Sequence, residues 1–483
     1  MNREELYDGV TEIRDDLVEA AAPKKRRRRF WIPLAAAAAI AVAVTVLWPR
    51  GGESWASPYL LAAAIYPDQA PYPIEENYYH LNGEFDHESY SAASSAYWQD
   101  RENRMTSLEG CEGRLNGFFS RSMAPILSGG EGENRVCSPV SLYLALSMLA
   151  ETAGGNSREQ ILDLLGVEDT ETLRDMAGRV FHSIYQDDGV TTVIPADSLW
   201  LNRNIRFVQS TMDTLARDYY ASSFQGEMGT EAFDQVLREW INRRTGGFLK
   251  EHTADLSLPP ETILALVNTL YFRDTWMNKF SSENTAPDTF HSPGGDVTAD
   301  FMHDIVYTYS WGDHFSAVSK DFSGLGDMWF FLPDEGAGPE ELLEDPQALD
   351  LLLNGADLEK EGENWKIVTV NLSLPKFDAA SNLDLRESLM SMGVSDVFDP
   401  AVSDFSPMTE DIGEIRLSQV RHTARVSVDE EGCEASAFTL MADAGMGGPP
   451  DNEEIDFTLD RPFLFAVISR TGLPLFTGIV NQP

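Results

Sequence analysis

Residues 428–463 read VDEEGCEASAFTLMADAGMGGPPDNEEIDFTLDRPF, and the fold turns on how this stretch is interpreted. Val426 and Val428 alternate with polar residues as in a strand, and beyond Gly432 a second period-two pattern begins. Its odd positions, Cys433, Ala435, Ala437 and Thr439, are all small and nearly apolar. Its even positions, Glu434, Ser436, Phe438 and Leu440, are mixed, as on a face turned to solvent or to a covering helix. Gly445, Gly447, Gly448, Pro449 and Pro450 then forbid regular structure and expose a loop tip, the kind of site where proteases nick chains. On these residues alone the stretch is either a short edge strand with an ordinary surface loop, or a strand slim enough on one face to slide into a packed sheet.

The rest of the chain narrows the choice. At 483 residues it exceeds what a single core usually holds, which predicts one large domain with appendages. An apolar content of 43% and 10 tryptophans predict a folded body. A formal charge of −42 argues against nucleic-acid binding. Cys111, Cys137 and Cys433 are widely spaced and odd in number, so neither a disulfide framework nor a zinc site is expected, and all three read as small structural residues.

In the first 22 residues, Leu6, Val10, Ile13, Leu17 and Val18 recur at helical spacing. The cations KKRRRR at 24–29 precede an uncharged, alanine-rich run over 30–48. That order fits a membrane span whose amino end stays in the cytoplasm. A cleaved signal peptide is the competing reading, with Ser54 and Ala56 as the small residues of a cleavage site. The uncleaved anchor is favoured, because Ala56 lies well past the apolar run; either way the remainder is exported. The expected organisation is a cytoplasmic segment over 1–29, a span over 30–48, an extracytoplasmic linker over 49–110 and a folded domain over 111–483. The linker lacks sustained periodicity. Its stretch YPDQAPYPIEENYYH at 66–80 reads as solvated chain, with a docking segment as the alternative.

From Cys111 the pattern tightens. Leu115, Phe118, Phe119, Met123 and Leu127 predict a helix. Ser138 and Pro139 predict a helix start, as cap and first-turn residue, for the run LYLALSMLAETAGG, which is too apolar to be exposed. A short strand is expected over 198–202, helices over 208–220 and 231–244, and a central strand over 262–272, TILALVNTLYF.

Several of these pieces together resemble the serpin family, in a bacterial-type form with an N-terminal membrane anchor. The resemblance rests on Glu430 to Ala437 as a reactive-loop hinge and on FTLDRPFLFAV at 457–467 as a C-terminal signature. In order along the chain it also rests on Asn134, Ser138, Pro139 and Ser141; on LREWINRRTGGFLK at 237–250; on Asn268, Tyr271, Phe272, Trp276 and Phe280; on LPKF at 374–377; and on Asp404, Phe405 and Ser406. Leu417, Ser418, Val420 and His422 lead into the loop. The resemblance implies an α+β fold of about three β-sheets with surrounding helices and an exposed reactive-centre loop.

It further implies a suicide-type inhibitor of serine proteases, with cysteine proteases as a second class. The hinge would comprise Glu430, Glu431, Gly432, Cys433, Glu434, Ala435, Ser436, Ala437 and Thr439. The family's spacing places the cleaved bond at Met446/Gly447, and a somewhat long loop leaves Met441 and Leu440 as alternatives. Methionine at the primary position suits the apolar pockets of chymotrypsin, elastase or subtilisin types. No Lys or Arg lies between Glu430 and Asp460 to attract a trypsin-like enzyme. Two residues depart from the family pattern: Cys433 stands where Thr or Ser is usual, and Phe438 where small residues prevail. No nucleophile elbow, phosphate loop, dinucleotide glycine pattern or HExxH is present. An enzyme is therefore not expected, nor are a cofactor, a metal or a nucleic-acid partner; a monomer is. His422 reads as a hydrogen-bonded core residue. The runner-up function is a non-inhibitory binding module whose loop is cleaved as a substrate.

Overall fold

The computed structural model describes residues 53–56, 58–80, 82–108, 110–130, 132–188, 191–324, 326–361, 364–411, 415–433 and 453–483. The chain runs through strand β1 (Leu60–Ala62), helices α1 (His87–Met105) and α2 (Glu112–Leu127), β2 (Arg135–Cys137), and helices α3 (Pro139–Thr152), α4 (Gly155–Leu165) and α5 (Thr170–Ile184). There follow β3 (Gln186–Asp187), β4 (Thr192–Asn202), α6 (Gln209–Asp218), β5 (Ala221–Gly226), α7 (Glu231–Arg244) and β6 (Leu264–Thr275). Next come β7 (Ala286–Ser292), β8 (Gly295–Trp311), β9 (Phe315–Asp321), β10 (Gly326–Pro333) and α8 (Pro346–Glu361). The last elements are β11 (Trp365–Pro375), β12 (Phe377–Asp384), α9 (Arg386–Ser391), β13 (Leu417–Val428), β14 (Gly432–Cys433), β15 (Glu454–Thr458), β16 (Phe463–Ser469) and β17 (Pro474–Val480).

Two hydrogen-bonded networks organise these strands. The first has the order β1-β5-β4-β6-β14-β13-β12, with β3 added on β4. The second has the order β15-β11-β8-β9-β10-β16-β17-β2, with β7 added on β8. Only Ser310–Ala317 and Trp311–Ser316 join β8 to β9. Dividing the second network at that short junction gives the three sheets expected of the fold.

Local chemistry explains the elements nearest the centre. The Ser138 hydroxyl accepts a hydrogen bond from the Ser141 amide at 3.2 Å, and Pro139 occupies the first turn, where its missing N–H leaves nothing unpaired. The helix that follows, α3, is buried at nearly every position. β6 is buried on both faces for most of its length, which is why its sequence is a continuous apolar run rather than an alternating one. One face of β4, β5 and β6 packs on α7 through Trp200, Phe224, Trp240, Ala265 and Val267. The Trp200 and Phe224 rings stack at 4.4 Å.

The linker expected over 49–110 is not a spacer in its described part, which packs into the body from Glu53 onward. β1 pairs antiparallel with β5 and so forms the edge of the first sheet. Glu53 is buried and accepts hydrogen bonds from Trp240 Nε1 at 2.9 Å and Arg244 at 2.7 Å. The Tyr66 hydroxyl donates to the Pro195 carbonyl and Gln69 Nε2 to the Tyr185 carbonyl, so the start of 66–80 docks on the body. Tyr97, on α1, is 2% exposed and donates to Asp188. Single aromatic anchors and hydrogen bonds attach this segment, which accounts for its lack of a regular apolar period. Residues 1–51, including the expected cytoplasmic segment and the expected span over 30–48, lie outside the described residues. Among the described residues no helix is long and apolar enough to cross a membrane.

Candidate functional site

β6 and β13 lie side by side and parallel at the centre of the first sheet, with registers from Leu264–Leu417 to Thr269–Thr423. Beyond Thr269–Thr423 the next pairings across this seam are made to a third segment. Gly432 pairs with Thr275 and Cys433 with Asp274 on β6, and Cys433 pairs with Val428 on β13. Both ladders are antiparallel. The seam is therefore closed at one end and held apart at the other by a two-residue wedge, the first two residues of the expected hinge strand. The resemblance implied an exposed reactive-centre loop, and the first two residues of its hinge strand already lie inside the sheet.

Register also orients the wedge. Asn268 and His422 face each other across the seam and point toward α3, where Asn268 contacts Ser141. Asp274 and Val428 share their parity, and Cys433 lies opposite both, 2% exposed. Cys433 thus enters on the inner face, as the small-residue pattern predicted. A Cβ on Gly432 would come within 2.3 Å of the Asp274 carbonyl oxygen, so only glycine permits the strand to approach β6 here.

The turn before the wedge is tied down on several sides. The Asp429 carboxylate accepts from the Glu431 and Gly432 amides at 2.8 and 3.2 Å, and the Asp429 carbonyl accepts from Trp276 Nε1 at 2.9 Å. The amides of Trp276 and Phe280 donate to the Glu431 and Glu430 carbonyls. Glu430 pairs with Lys376 at 2.7 Å and accepts from Thr285 Oγ1 at 2.9 Å, while Lys279 Nζ is 2.6 Å from Glu431. Burial pushes the Glu430 carboxyl up, but the hydrogen bonds from Lys376 and Thr285 prevail and hold it below the usual range. Trp276 is buried and stacks on Phe322 at 4.6 Å.

At the closed end the seam carries a polar lock. Asn268 Nδ2 donates to the Ser141 carbonyl, the Ser141 hydroxyl and Asp197 Oδ1 at 3.0, 2.7 and 2.7 Å. Asn268 Oδ1 lies 2.7 Å from His422 Nδ1, and the Ser138 amide donates to His422 Nε2 at 2.9 Å. These partners assign the Nδ1–H neutral tautomer, and burial lowers the imidazole pKa to about 4. His422 is the hydrogen-bonded core residue expected of it. Asp197 is wholly enclosed, and burial raises its carboxyl to about 7 against the opposing Asn268 bond. Opening the seam breaks the Asn268–His422 bond, an interaction of about 1 kcal/mol net, and leaves its ends to find new partners.

Of the expected hinge residues, Glu430, Glu431, Gly432 and Cys433 meet at this site. Glu434, Ala435, Ser436, Ala437 and Thr439, the expected bond Met446/Gly447 and its alternatives Met441 and Leu440 lie outside the described residues. Sequence reading missed the roles of Asp197, Lys279, Thr285 and Lys376. A lone acid inside the apolar strand TVIPADSLWLN was the available signal for Asp197. All three cysteines are buried and none forms a disulfide. Among the described residues no cluster of His, Cys, Asp and Glu could hold a metal ion.

Residues 114–483 match the family described as Serpin (serine protease inhibitor). Serpin-ZX of Arabidopsis thaliana is 27% identical over 368 residues, covering 73% of this chain and 93% of its own. The native state of tengpin, a thermophilic serpin, superposes with a TM-score of 0.68 at 25% identity, covering 77% of this chain and 93% of tengpin. Human thyroxine-binding globulin, solved with its hormone, has a TM-score of 0.64 at 22% identity over 76% of this chain and 98% of its own, a likeness of fold alone.

Proposed function

This chain belongs to the serpin family, and from that premise we propose that it is a suicide-type inhibitor of serine proteases of apolar specificity. The half-open seam between β6 and β13, already wedged by Gly432 and Cys433, is the observation that carries the reading. Loop insertion is the family's known behaviour: a protease cleaves the exposed loop, forms an acyl-enzyme through its serine, and is carried along as the freed loop enters the sheet. Here the entering strand would continue from Cys433 down the seam, placing Ala435, Ala437 and Thr439 on the inner face by alternation. About fifteen inserted residues at ~3.3 Å each span on the order of 50 Å. Their backbone hydrogen bonds contribute on the order of 10 kcal/mol at roughly 1 kcal/mol apiece. The active form is then kinetically held short of its most stable state. Met446/Gly447 is the proposed reactive bond, and cysteine proteases are a second target class.

The proposal includes an exported body held at the membrane by residues 30–48, acting as a monomer. Removal of the chain through Ala56 would delete the buried contacts of Glu53 and Ala56 against α7, which supports the uncleaved form. Incubation with elastase or subtilisin followed by a denaturing gel tests the function. A covalent complex is expected. Clean cleavage without a complex would favour the second reading, a binding module, to which the oxidisable Cys433 and the bulky Phe438 point.

A further inference from the structure

Close to the hinge turn, a lysine is shut inside the body. Lys320, on β9, is 4% exposed, and its Nζ pairs with Asp304 Oδ2 on β8. The two strands no longer pair beyond Ser310–Ala317, and the lysine and its acid meet across the place where they part. The ammonium also lies 4.4 Å from the centroid of the Phe280 ring and 5.7 Å from that of Trp276, within the range of cation–π attraction. Burial pulls the Lys320 pKa down from the ordinary lysine value, and the nearby Asp304 and Asp321 oppose that pull. An enclosed ammonium gives up its hydration, and an apolar side chain of similar length often packs in such a place with no loss of stability. The two rings give the charge another role. The amides of Trp276 and Phe280 hold the Glu431 and Glu430 carbonyls, and the Trp276 indole holds the Asp429 carbonyl. Three consecutive carbonyls of the turn are therefore held by one aromatic pair. Phe322 stacks on Trp276 at 4.6 Å, and the Trp276 and Phe280 rings stand edge to face at 6.0 Å. Lys320 draws both rings toward one charge, which Asp304 fixes in place.

We propose that Lys320 is a positioning residue for loop insertion: it holds the Trp276–Phe280 pair so that the turn at Asp429–Glu431 stays a fixed pivot while the strand beyond Cys433 enters the seam. Its consequence for a protease rests on the inhibitory reading above; its effect on the turn does not. Register explains why a fixed pivot matters. Cys433 meets both Asp274 and Val428, and a slip of one residue would present the opposite face of the entering strand to the core. Gly432 already admits no side chain against the Asp274 carbonyl, so the strand has little room to drift. A strand that enters out of register stalls, and deacylation then releases the protease.

Hydrogen exchange of the full chain, with no protease present, tests the positioning. In Lys320→Met the amides of 431–433 should exchange about ten-fold faster, the worth of the two ring contacts. β9 and β10 should keep their protection, and the apparent Tm should stay within about 2 °C of the wild type. Asp304→Asn keeps the lysine but removes its acid, and should give a smaller rise of about three-fold; it decides the matter should Lys320→Met fail to fold. In a Phe280→Leu background Lys320→Met should add nothing further, because the ring it acts through is gone. With subtilisin, Lys320→Met should need several-fold more inhibitor per enzyme trapped, at an unchanged rate of nicking. Unchanged exchange in both variants, acceleration spread over β9 and β10 with a fallen Tm, additive effects in the Phe280→Leu background, or an unchanged stoichiometry overturns the proposal. Faster exchange at the turn with no covalent complex from the wild type supports the positioning of the turn and sinks the inhibitory function instead.

Discussion

Replacing Asp197 by Asn should stabilise the protein, and the gain should grow with pH. The carboxyl is enclosed and its pKa in the folded chain is about 7, against 3.8 for the ordinary group. Between those values the folded state holds a proton that the unfolded state has released, so stability falls as pH rises through the interval. At 1.36 kcal/mol per pKa unit the full penalty is about 4 kcal/mol above pH 7, and about 2 kcal/mol of it is present at pH 5. Asn mimics the protonated acid, keeps an oxygen for Asn268 Nδ2, and removes the penalty. His422 works in the opposite sense: its pKa is lowered to about 4, so stability falls as pH drops from 6.5 toward 4. In the wild type the two slopes oppose each other over that window. In the variant the histidine slope stands alone. With an unfolding entropy near 2 cal/mol/K per residue, 4 kcal/mol corresponds to roughly 4 to 5 °C in apparent Tm for a folded unit of this size. Scanning calorimetry of both proteins at one fixed scan rate, at pH 5 and pH 8.5, provides the comparison. A difference that is the same at both pH values, or a variant less stable at pH 8.5, would refute the linkage.

Three further outcomes are expected. Cys433→Arg places a guanidinium where the thiol is 2% exposed, at a burial penalty of several kcal/mol; cleavage by subtilisin should persist while the covalent complex disappears, and an undiminished complex would count against entry on this face. Glu430→Lys replaces the 2.7 Å attraction to Lys376 with a repulsion and should lower the apparent Tm by ~1 to 2 °C while speeding nicking in 434–452, as read by limited proteolysis. Nicking of the wild-type loop near Met446 should raise the melting temperature well above that of the intact chain; an unchanged value would show that no energy had been stored.

Much of the body was legible because its strongest signals are local. The Ser138–Pro139 start, the apolar run of α3, the span of α7 and the continuous apolar strand β6 all follow from residues adjacent in sequence. The small-residue parity likewise gave the face on which Cys433 enters. The depth of its entry was not legible, because it depends on β6 and β13 parting after Thr269–Thr423, a matter of partners about 150 residues apart. The same distance hid the pairing of Asn268 with His422, and a shorter but still non-local separation hid that of Glu430 with Lys376. The segment before α2 was read as a spacer because its attachments are isolated tyrosines and one buried glutamate, which leave no periodic trace.

The strand β1 bears on how copies of this chain behave together. A sheet accepts foreign strands wherever its backbone groups lie bare, and an uncovered flank is the commonest invitation to stacking into fibres. Here the β5 flank is already occupied by the chain's own Leu60–Ala62. β1 itself ends the sheet, but its three residues offer a neighbour's loop less backbone to pair with than the gap between β6 and β13 does. Self-association should therefore track whatever loosens the Asn268–His422 clasp.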